Sequence, residues 1–196
     1  MALVGSYRNV QLQVELLCPV RSRAGRPEKP ATATPAEANI GPSGEITALA
    51  VGFGHLVPGD TILIERRVET RRGMLDYEFP VAGLASWLCL KADAIMRRDK
   101  PKDSYDVVWL IDALGPDQAA GLIATSPLLA GELGPEVLRQ LGRLLSDQFR
   151  DTEAAGPAMY ADFLAAEPGA RERRHAHGSI TALTHALRDH GVKPVA

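Results

Sequence analysis

The sequence contains few cysteines and few aromatic residues. It contains 2 cysteines in 196 residues, Cys18 and Cys89, and each lies inside an apolar run. This pattern excludes a disulfide framework and a cysteine-based zinc site, and it is typical of a reducing compartment. Aromatic residues make up only 5% of the chain, so the core must depend on aliphatic side chains and alanine. We therefore expect a cytoplasmic protein.

The chain also lacks a strong net charge and a long apolar segment. Its 22 basic residues are balanced by 24 acidic ones. Without a net basic field, binding to duplex DNA is not expected. No apolar stretch approaches the roughly 20 residues that a membrane helix requires, and no charged-then-apolar signal opens the chain. We therefore expect no membrane partner.

The first third of the chain shows strand and loop patterns. Residues 10–16 alternate between apolar and polar side chains, which predicts a strand with one apolar face. Residues 45–51 and 61–68 are rich in Ile, Val, Thr and Leu, and residues 77–81 form a last short strand candidate. Between them, residues 19–43 are Pro-, Ala-, Thr-, Arg- and Gly-rich without periodicity, which predicts a flexible loop.

From Val81 onward the apolar period changes to that of a helix. A first helix is predicted to reach Arg98, and a second is predicted to begin at Pro101 and end before Gly115-Pro116. Further helices are predicted, between Gly and Pro breaks, at 116–125, 135–149, 157–166 and 171–190. Strands followed by helices give an α+β fold, a small mixed β-sheet and then a C-terminal helical bundle. We expect a β-rich domain at 1–80 and a helical domain at 81–196.

Charged residues near the junction of the first two helices are the strongest candidates for a functional site. Lys91 and Arg98 lie at i and i+7 on one helical stripe, with Ala94 between them. On the next helix, Asp103 and Asp106 are spaced i, i+3 and share a face. Two adjacent helices would bring the cations beside the aspartates, where the cations can hold phosphates or Asp106 can orient Lys91. The alternative is an ordinary solvated face.

At these residues the sequence resembles the nucleotidyltransferase-fold proteins of the AbiEii/AbiGii toxin type. Lys91, Ala94 and Arg98 match the Lys-x-x-Ala-x-x-x-Arg helix of that family. Lys102-Asp103 and Asp106-Val107 match the basic-Asp-x-x-Asp-aliphatic helix that follows it. Two further segments are similar to the family, Phe79-Pro80-Val81 before the first helix and Val14-Glu15-Leu16-Leu17-Cys18-Pro19 on a strand. The resemblance covers roughly residues 10–115 and, more loosely, the helical tail.

The resemblance implies transfer of a nucleotidyl group from an NTP, with Mg²⁺, to a tRNA or protein acceptor. It also implies a cognate antitoxin, and residues 1–80 would form a partial nucleotidyltransferase core. Glu15 would be a metal ligand and a catalytic carboxylate. Lys91 and Asp106 would complete the catalytic set. The nucleotide-binding residues would be Lys91, Arg98, Lys102 and Asp103.

The paired metal-binding carboxylates of the family, an Asp-x-Asp after a Gly-Ser turn, do not occur in this sequence. Gly5-Ser6 is present, but Glu15 is the first acidic residue that follows it. The motif is expected upstream of the Glu15 strand, so an upstream segment would complete the metal site, or the chain is a degenerate relative that is inactive. The alternative function is a non-catalytic interaction module of a toxin–antitoxin or phage-defence system, with its C-terminal helices as the partner surface.

Two further sets of residues have simpler explanations. His175, His177 and His185 lie among arginines in the last helix, and His-x-His side chains point apart on a helix. We expect them to belong to a solvated basic face. Cys89 lies within the predicted helix from Val81, between Leu88 and Leu90, and is expected to pack in the core.

Overall fold

The structure, a computed structural model, divides the chain into two compact units, Met1–His55 and Leu56–Ala196. It describes residues 2–7, 10–15, 17–19, 36–40, 46–70, 73–97, 100–164 and 169–195. Side chains are described from residue 51 onward. Each unit is treated by itself below.

The described residues of the first unit form two small sheets. Strands β1 (Ala2–Tyr7) and β2 (Val10–Glu15) form an antiparallel hairpin in which Glu15 lies opposite Ala2. In the second sheet, the central strand β5 (Ile46–Val51) is parallel to β3 (Leu17–Pro19) and antiparallel to β4 (Ala36–Ile40). The β part of the chain is therefore mixed.

Strand β4 lies inside the segment 19–43, so the loop prediction is wrong for Ala36–Ile40. These residues alternate as Ala-Glu-Ala-Asn-Ile, a period-2 pattern too short to stand out from its surroundings. Ala and Asn have low strand propensity, so the strand depends on backbone pairing with β5. The predicted flexibility of the rest of the segment falls outside the described residues.

The second unit begins with a long two-stranded ribbon. A 3₁₀ turn, Gly54–Gly59, precedes β6 (Thr61–Thr70), which pairs antiparallel with β7 (Gly73–Ala82). Strand β7 is thus longer than the predicted 77–81. Because side chains alternate across a strand, the register gives the ribbon one mainly apolar face, formed by Ile62, Ile64, Val68, Leu75, Tyr77, Phe79 and Val81.

Helices follow the ribbon, close to the predicted positions. In chain order they are α1 (Leu84–Arg97), α2 (Pro101–Leu114), α3 (Pro116–Ala124), α4 (Pro127–Ala130), α5 (Gly134–Gly142), a π-helical turn (Arg143–Gln148), α6 (Ala155–Leu164) and α7 (Ala170–Asp189). Proline opens several of these helices because its missing N–H is not needed in the first turn. Gly115, at φ 81°, ends α2 in a conformation that favours glycine.

The helical part has an aliphatic core, as the low aromatic content predicts. Its largest fully buried side chains are mostly Leu, Ile and Val, and they include Leu88, Ile111, Ile123, Leu141, Ile180 and Leu183. Cys89 is also fully buried, which agrees with a packing role. Burial raises the pKa of its thiol far above the ordinary value. The α+β fold class is confirmed, whereas the predicted domain division at residue 80 remains a prediction.

Single helices of the described chain are too short or too polar to cross a bilayer. Only together do the consecutive helices α2 and α3 have the length and apolar composition of a membrane span, and the chain bends by 99° between them.

One buried carboxylate connects three elements of the second unit. Asp60, which is 6% exposed, accepts a hydrogen bond from the backbone N–H of Ser86 in the first turn of α1 (2.8 Å). Its other oxygen accepts one from the Ser126 hydroxyl (2.8 Å), and that hydroxyl in turn caps α4. Gly83 passes so close that a Cβ there would overlap the Asp60 carboxylate. This arrangement fixes the start of α1.

Candidate functional site

The predicted meeting of cation and aspartates is present in the structure. Lys91 projects from α1 towards α2, and its Nζ donates to Asp103 Oδ1 (2.8 Å) and Asp106 Oδ2 (2.7 Å). The two aspartates lie one turn apart on α2, so their i, i+3 spacing places both within reach of one ammonium.

A second lysine extends this group along α2. Lys102 Nζ donates to both carboxylate oxygens of Asp106, at 2.8 Å each. Asp106 is thus held between two ammonium groups. We call Lys91, Lys102, Asp103 and Asp106 the lysine–aspartate cluster.

The inner part of the cluster is not a solvated face. The side chain of Lys91 is 16% exposed and that of Asp103 is 7% exposed, whereas Lys102 is 67% exposed. Lys91 Nζ also lies 5.6 Å from the centre of the Trp87 ring, within the range of a cation–π interaction. A partly buried ion pair of this kind is stronger than a surface pair because water screens it less.

The electrostatics of the cluster favour the charged form of Asp106. Burial acts to raise the pKa of Asp106, but the hydrogen bonds and charges of Lys102 and Lys91 outweigh it. The pKa therefore lies below the ordinary value of 3.8. Asp106 is an anion throughout the neutral range, so it can orient both lysines.

The cluster can bind an anion by rearranging its own hydrogen bonds. An ammonium has three N–H donors, and within the described residues Lys91 uses two of them on carboxylates. The exposed Lys102 side chain is long and flexible, so it can leave Asp106 for a phosphate oxygen at small cost. The arrangement therefore presents two oriented cations beside carboxylates that hold them in place.

Two of the predicted site residues cannot be placed with the cluster. Arg98 lies outside the described residues. Glu15 is the last residue of β2 in the first unit, and its side chain is not described. Their roles in nucleotide and metal binding therefore stay predictions.

The described side chains do not form a metal centre. No group of three or more His, Cys, Asp and Glu side chains in the described part of the chain could hold a metal ion. Within the cluster, the Lys91 ammonium lies between Asp103 and Asp106, at the position that a cation would take. The lysine–aspartate cluster therefore does not suit Mg²⁺, which prefers several oxygen ligands.

Two of the α7 histidines form hydrogen bonds with other elements, although His175 is exposed. His175 Nε2 lies 2.7 Å from Asp112 Oδ2, and the Ser179 hydroxyl donates to the other oxygen of Asp112 (2.7 Å). His177 instead contacts the backbone carbonyl of Phe149 (2.9 Å). The His-x-His side chains do point apart, as predicted, but both connect α7 to other elements.

A set of aromatic side chains on α2 and α6 was not predicted from the sequence. Tyr105, adjacent to Asp106, lies 4.5 Å from Phe163 and 6.1 Å from Tyr160 between ring centres. Trp109, one turn further along α2, is 56% exposed, and Phe163 is 44% exposed. The i, i+4 spacing places Tyr105 and Trp109 on a different face of α2 from the buried Val107 and Ile111. This spacing could have indicated the aromatic face from the sequence.

Comparison with known proteins identifies the family. Residues 28–177 match the family described as "Nucleotidyl transferase AbiEii toxin, Type IV TA system", and this match includes the whole lysine–aspartate cluster. No curated protein and no solved structure matches the chain. Since the matched region is most of the sequence, the chain belongs to the AbiEii nucleotidyl transferase toxin family of type IV toxin–antitoxin systems.

Proposed function

We propose that this protein transfers a nucleotidyl group from an NTP to a hydroxyl group of an RNA or protein acceptor. The observation that carries the proposal is the partly buried Lys91 ammonium, held by Asp103 and Asp106. A lysine oriented in this way can bind a phosphate, and it lies within the region that matches the family.

Each member of the cluster has a separate role in this proposal. Lys91 binds the triphosphate and stabilises the negative charge that develops on the departing phosphates. Lys102 adds a second, more mobile contact. Asp106 positions both lysines, and Asp103 positions Lys91. Arg98 remains a proposed third phosphate ligand.

The reaction breaks the phosphoanhydride bond between the α- and β-phosphates and forms a phosphodiester bond. The acceptor oxygen attacks the α-phosphorus and forms a new O–P bond, and the bond from the α-phosphorus to the bridging oxygen breaks. Pyrophosphate leaves with that oxygen. The proton of the acceptor hydroxyl passes to a carboxylate, for which we propose Glu15.

Mg²⁺ is the proposed cofactor, on the ground of family membership. When bound, it would neutralise the triphosphate, with Glu15 as the proposed ligand. The described residues do not form such a site, so the roles given above are those of the chain's own side chains.

Membership of a type IV toxin–antitoxin family also implies a nucleotide substrate and a cognate antitoxin. We propose that the protein acts in the cytoplasm, in keeping with its two cysteines.

A labelling assay tests this function. The full chain is incubated with each α-³²P-labelled NTP, Mg²⁺, total RNA and total protein, and transfer of label to a macromolecule is measured. We expect labelling by the wild type and at least about a 100-fold loss with Lys91→Met, which keeps the side-chain length but removes the charge. Arg150→Gln, a charge removal at the exposed pair with Asp151, is the control.

The same assay separates the proposal from the alternative, a non-catalytic interaction module. That alternative is favoured by exposed aromatic side chains at Trp109 and Phe163, which a partner could cover. It predicts no labelling with any NTP, and an unchanged result with Lys91→Met.

A further inference from the structure

An aromatic ring lies beside the Lys91 ammonium, in addition to its two carboxylate partners. The Lys91 Nζ atom is 5.6 Å from the centre of the Trp87 ring, while Asp103 and Asp106 accept its hydrogen bonds at 2.8 and 2.7 Å. Trp87 is half-buried and lies four residues before Lys91 on α1, so both side chains lie on one stripe of the helix. We call this pair the tryptophan–lysine contact.

The tryptophan–lysine contact distinguishes the two tryptophans of the chain. Trp109 on α2 is 56% exposed, and in the part of the chain that the structure describes no cation lies over its ring. Trp87 instead lies beside a lysine whose side chain is only 16% exposed. A large ring next to a cation keeps water away from it, and a cation that water screens less interacts more strongly with its partners.

The charge of the lysine–aspartate cluster explains why an aromatic residue suits this position. The two lysines and the two aspartates of the cluster carry formal charges that cancel. A third acidic side chain beside Lys91 would make the cluster negative, and the cluster would then repel a triphosphate. The face of an indole ring attracts an ammonium through its quadrupole without adding a charge. Trp87 therefore holds Lys91 and leaves the charge balance unchanged.

Neutral side chains without a ring would hold the Lys91 ammonium less well. An ammonium has three N–H donors, and Lys91 uses two of them on carboxylates. An amide side chain such as glutamine would accept the third N–H and leave no donor for a ligand. An aliphatic side chain would keep water away but would not attract the charge. An aromatic ring does both and takes up no conventional hydrogen bond, so the third N–H stays available to a phosphate oxygen.

We propose that Trp87 is a positioning residue that holds the Lys91 ammonium in place for a triphosphate. Trp87 acts through Lys91 and does not touch the ligand. This inference rests on the proposed binding of a triphosphate by Lys91, but it depends neither on the transfer step nor on the acceptor. Without the ring, Lys91 keeps both aspartates but gains water and further side-chain conformations. The lysine is then less well preorganised for phosphate, and affinity falls.

The test is calorimetric binding of inorganic tripolyphosphate, without Mg²⁺, to the full-length chain. We expect Trp87→Leu, which keeps an apolar side chain but removes the ring, to raise the Kd about fivefold. Trp87→Phe keeps a ring and should restore most of the affinity, whereas an equal loss in both variants would assign the effect to the indole N–H and overturn the proposal. Trp109→Leu, the same change at the tryptophan without a cation over its ring, is the matched control and should bind like the wild type. Thermal melts check that each variant is folded at the binding temperature.

A double-variant cycle distinguishes this role from direct contact between Trp87 and the ligand. In a Lys91→Met background, Trp87→Leu should leave the Kd unchanged, because the cation on which the ring acts is gone. A loss of the same size in both backgrounds would show that Trp87 acts without Lys91, and it would overturn the proposal. Full affinity of the single variant Trp87→Leu, or no tripolyphosphate binding by the wild type, would also overturn it.

The fluorescence of Trp87 supplies a second measurement, which a purely structural role of this residue would not change. In Trp109→Phe, Trp87 is the only tryptophan that remains. Tripolyphosphate, which has no chromophore of its own, should then change the emission, since its binding alters the charge beside the ring. Adding Lys91→Met should abolish this response. No response in Trp109→Phe, or a response that persists with Lys91→Met, would overturn the proposal.

A parallel labelling experiment separates the failure of this inference from the failure of the proposed function. If tripolyphosphate binding depends on Trp87 and Lys91 together while no acceptor is labelled, the positioning role stands and nucleotidyl transfer is wrong. If the wild type labels an acceptor while Trp87→Leu labels it and binds tripolyphosphate equally well, transfer stands and the positioning role is wrong.

Discussion

Asp60 and Asp106 are two aspartates of the second unit with limited access to solvent, and their hydrogen-bond partners differ in kind. Asp60 is held by neutral donors, a backbone N–H of α1 and the hydroxyl of Ser126. Asp106 is held by two lysine ammonium groups, one of them largely exposed.

The difference separates a structural carboxylate from a candidate functional one. The partners of Asp60 belong to fixed elements, and a ligand cannot take them away. Lys102, the exposed partner of Asp106, has a long flexible side chain and can move to an anion that offers better hydrogen bonds. An exposed cationic partner, Lys102, is therefore the feature on which the proposed binding role of the cluster rests.

Removing the charge of Lys91 should have the greatest effect on function. In Lys91→Met, nucleotidyl transfer should fall by about 100-fold or more, because the phosphate ligand is lost. The variant should also unfold more easily, since Asp103 and Asp106 lose a partly buried cation. Parallel thermal melts check that the protein remains folded at the assay temperature. Activity near the wild-type level would place phosphate binding elsewhere.

Replacing Asp60 should affect stability rather than chemistry. In Asp60→Ala, the Ser86 N–H and the Ser126 hydroxyl both lose their acceptor, and the free energy of unfolding should fall by about 3 kcal/mol. Urea unfolding measures this change. Below the melting temperature, the variant should still transfer nucleotides. A selective loss of activity at unchanged stability would remove the contrast between the two aspartates.

Gly83 provides a steric test of the same structural site. Because a Cβ at Gly83 would overlap the Asp60 carboxylate, Gly83→Ala should destabilise the protein by about 2 kcal/mol. Gly178→Ala is the matched control, since Gly178 has open space around it and a helical alanine is favourable. Equal stability of the two variants would mean that the start of α1 is less tightly packed than described.

The pH dependence of stability should report on Asp106. In the folded state the pKa of Asp106 lies below 3.8, the ordinary value expected for the unfolded chain. The ionised carboxylate therefore contributes fully to stability at pH values above the unfolded pKa. This contribution is lost as the pH falls through the folded-state pKa. Asp106→Asn lacks this contribution at all pH values. The difference in unfolding free energy between wild type and variant should therefore shrink between neutral pH and about pH 3. A constant difference would contradict the ion pairs of Asp106.

The smallest effect is expected for Lys102. Because its side chain is 67% exposed, Lys102→Ala should change the unfolding free energy by less than about 1 kcal/mol. Its contribution to nucleotide affinity should also be smaller than that of Lys91. The KM for the NTP in Lys102→Ala and in Lys91→Met tests this order. A larger increase of KM in Lys102→Ala would contradict it.

The sequence predicted the helical part and the cluster well because both depend on local patterns. Gly-Pro breaks indicated the ends of the helices. The i, i+3 spacing of Asp103 and Asp106 indicated that both lie on the same face of α2. The same spacing could not show that Lys91, rather than solvent, would be their partner. That result depends on the burial between α1 and α2, which is a tertiary property.

Other features could not be read from local patterns. The role of Asp60 depends on Ser126, far away in sequence, and the contact of Asp112 with His175 joins α2 to α7. In the sequence, α7 appeared only as a mixed run of Arg and His residues. Packing then separated the cations used within the fold from those that face outward.

The most direct measurement is the affinity of the full-length chain for a non-hydrolysable NTP, with the wild type, Lys91→Met and Asp60→Asn compared at one temperature where all are folded. We predict that Lys91→Met binds at least about tenfold more weakly, whereas Asp60→Asn binds like the wild type. Equal affinity of Lys91→Met and the wild type, or no NTP binding by the wild type, would contradict the assignment of the lysine–aspartate cluster as a nucleotide site.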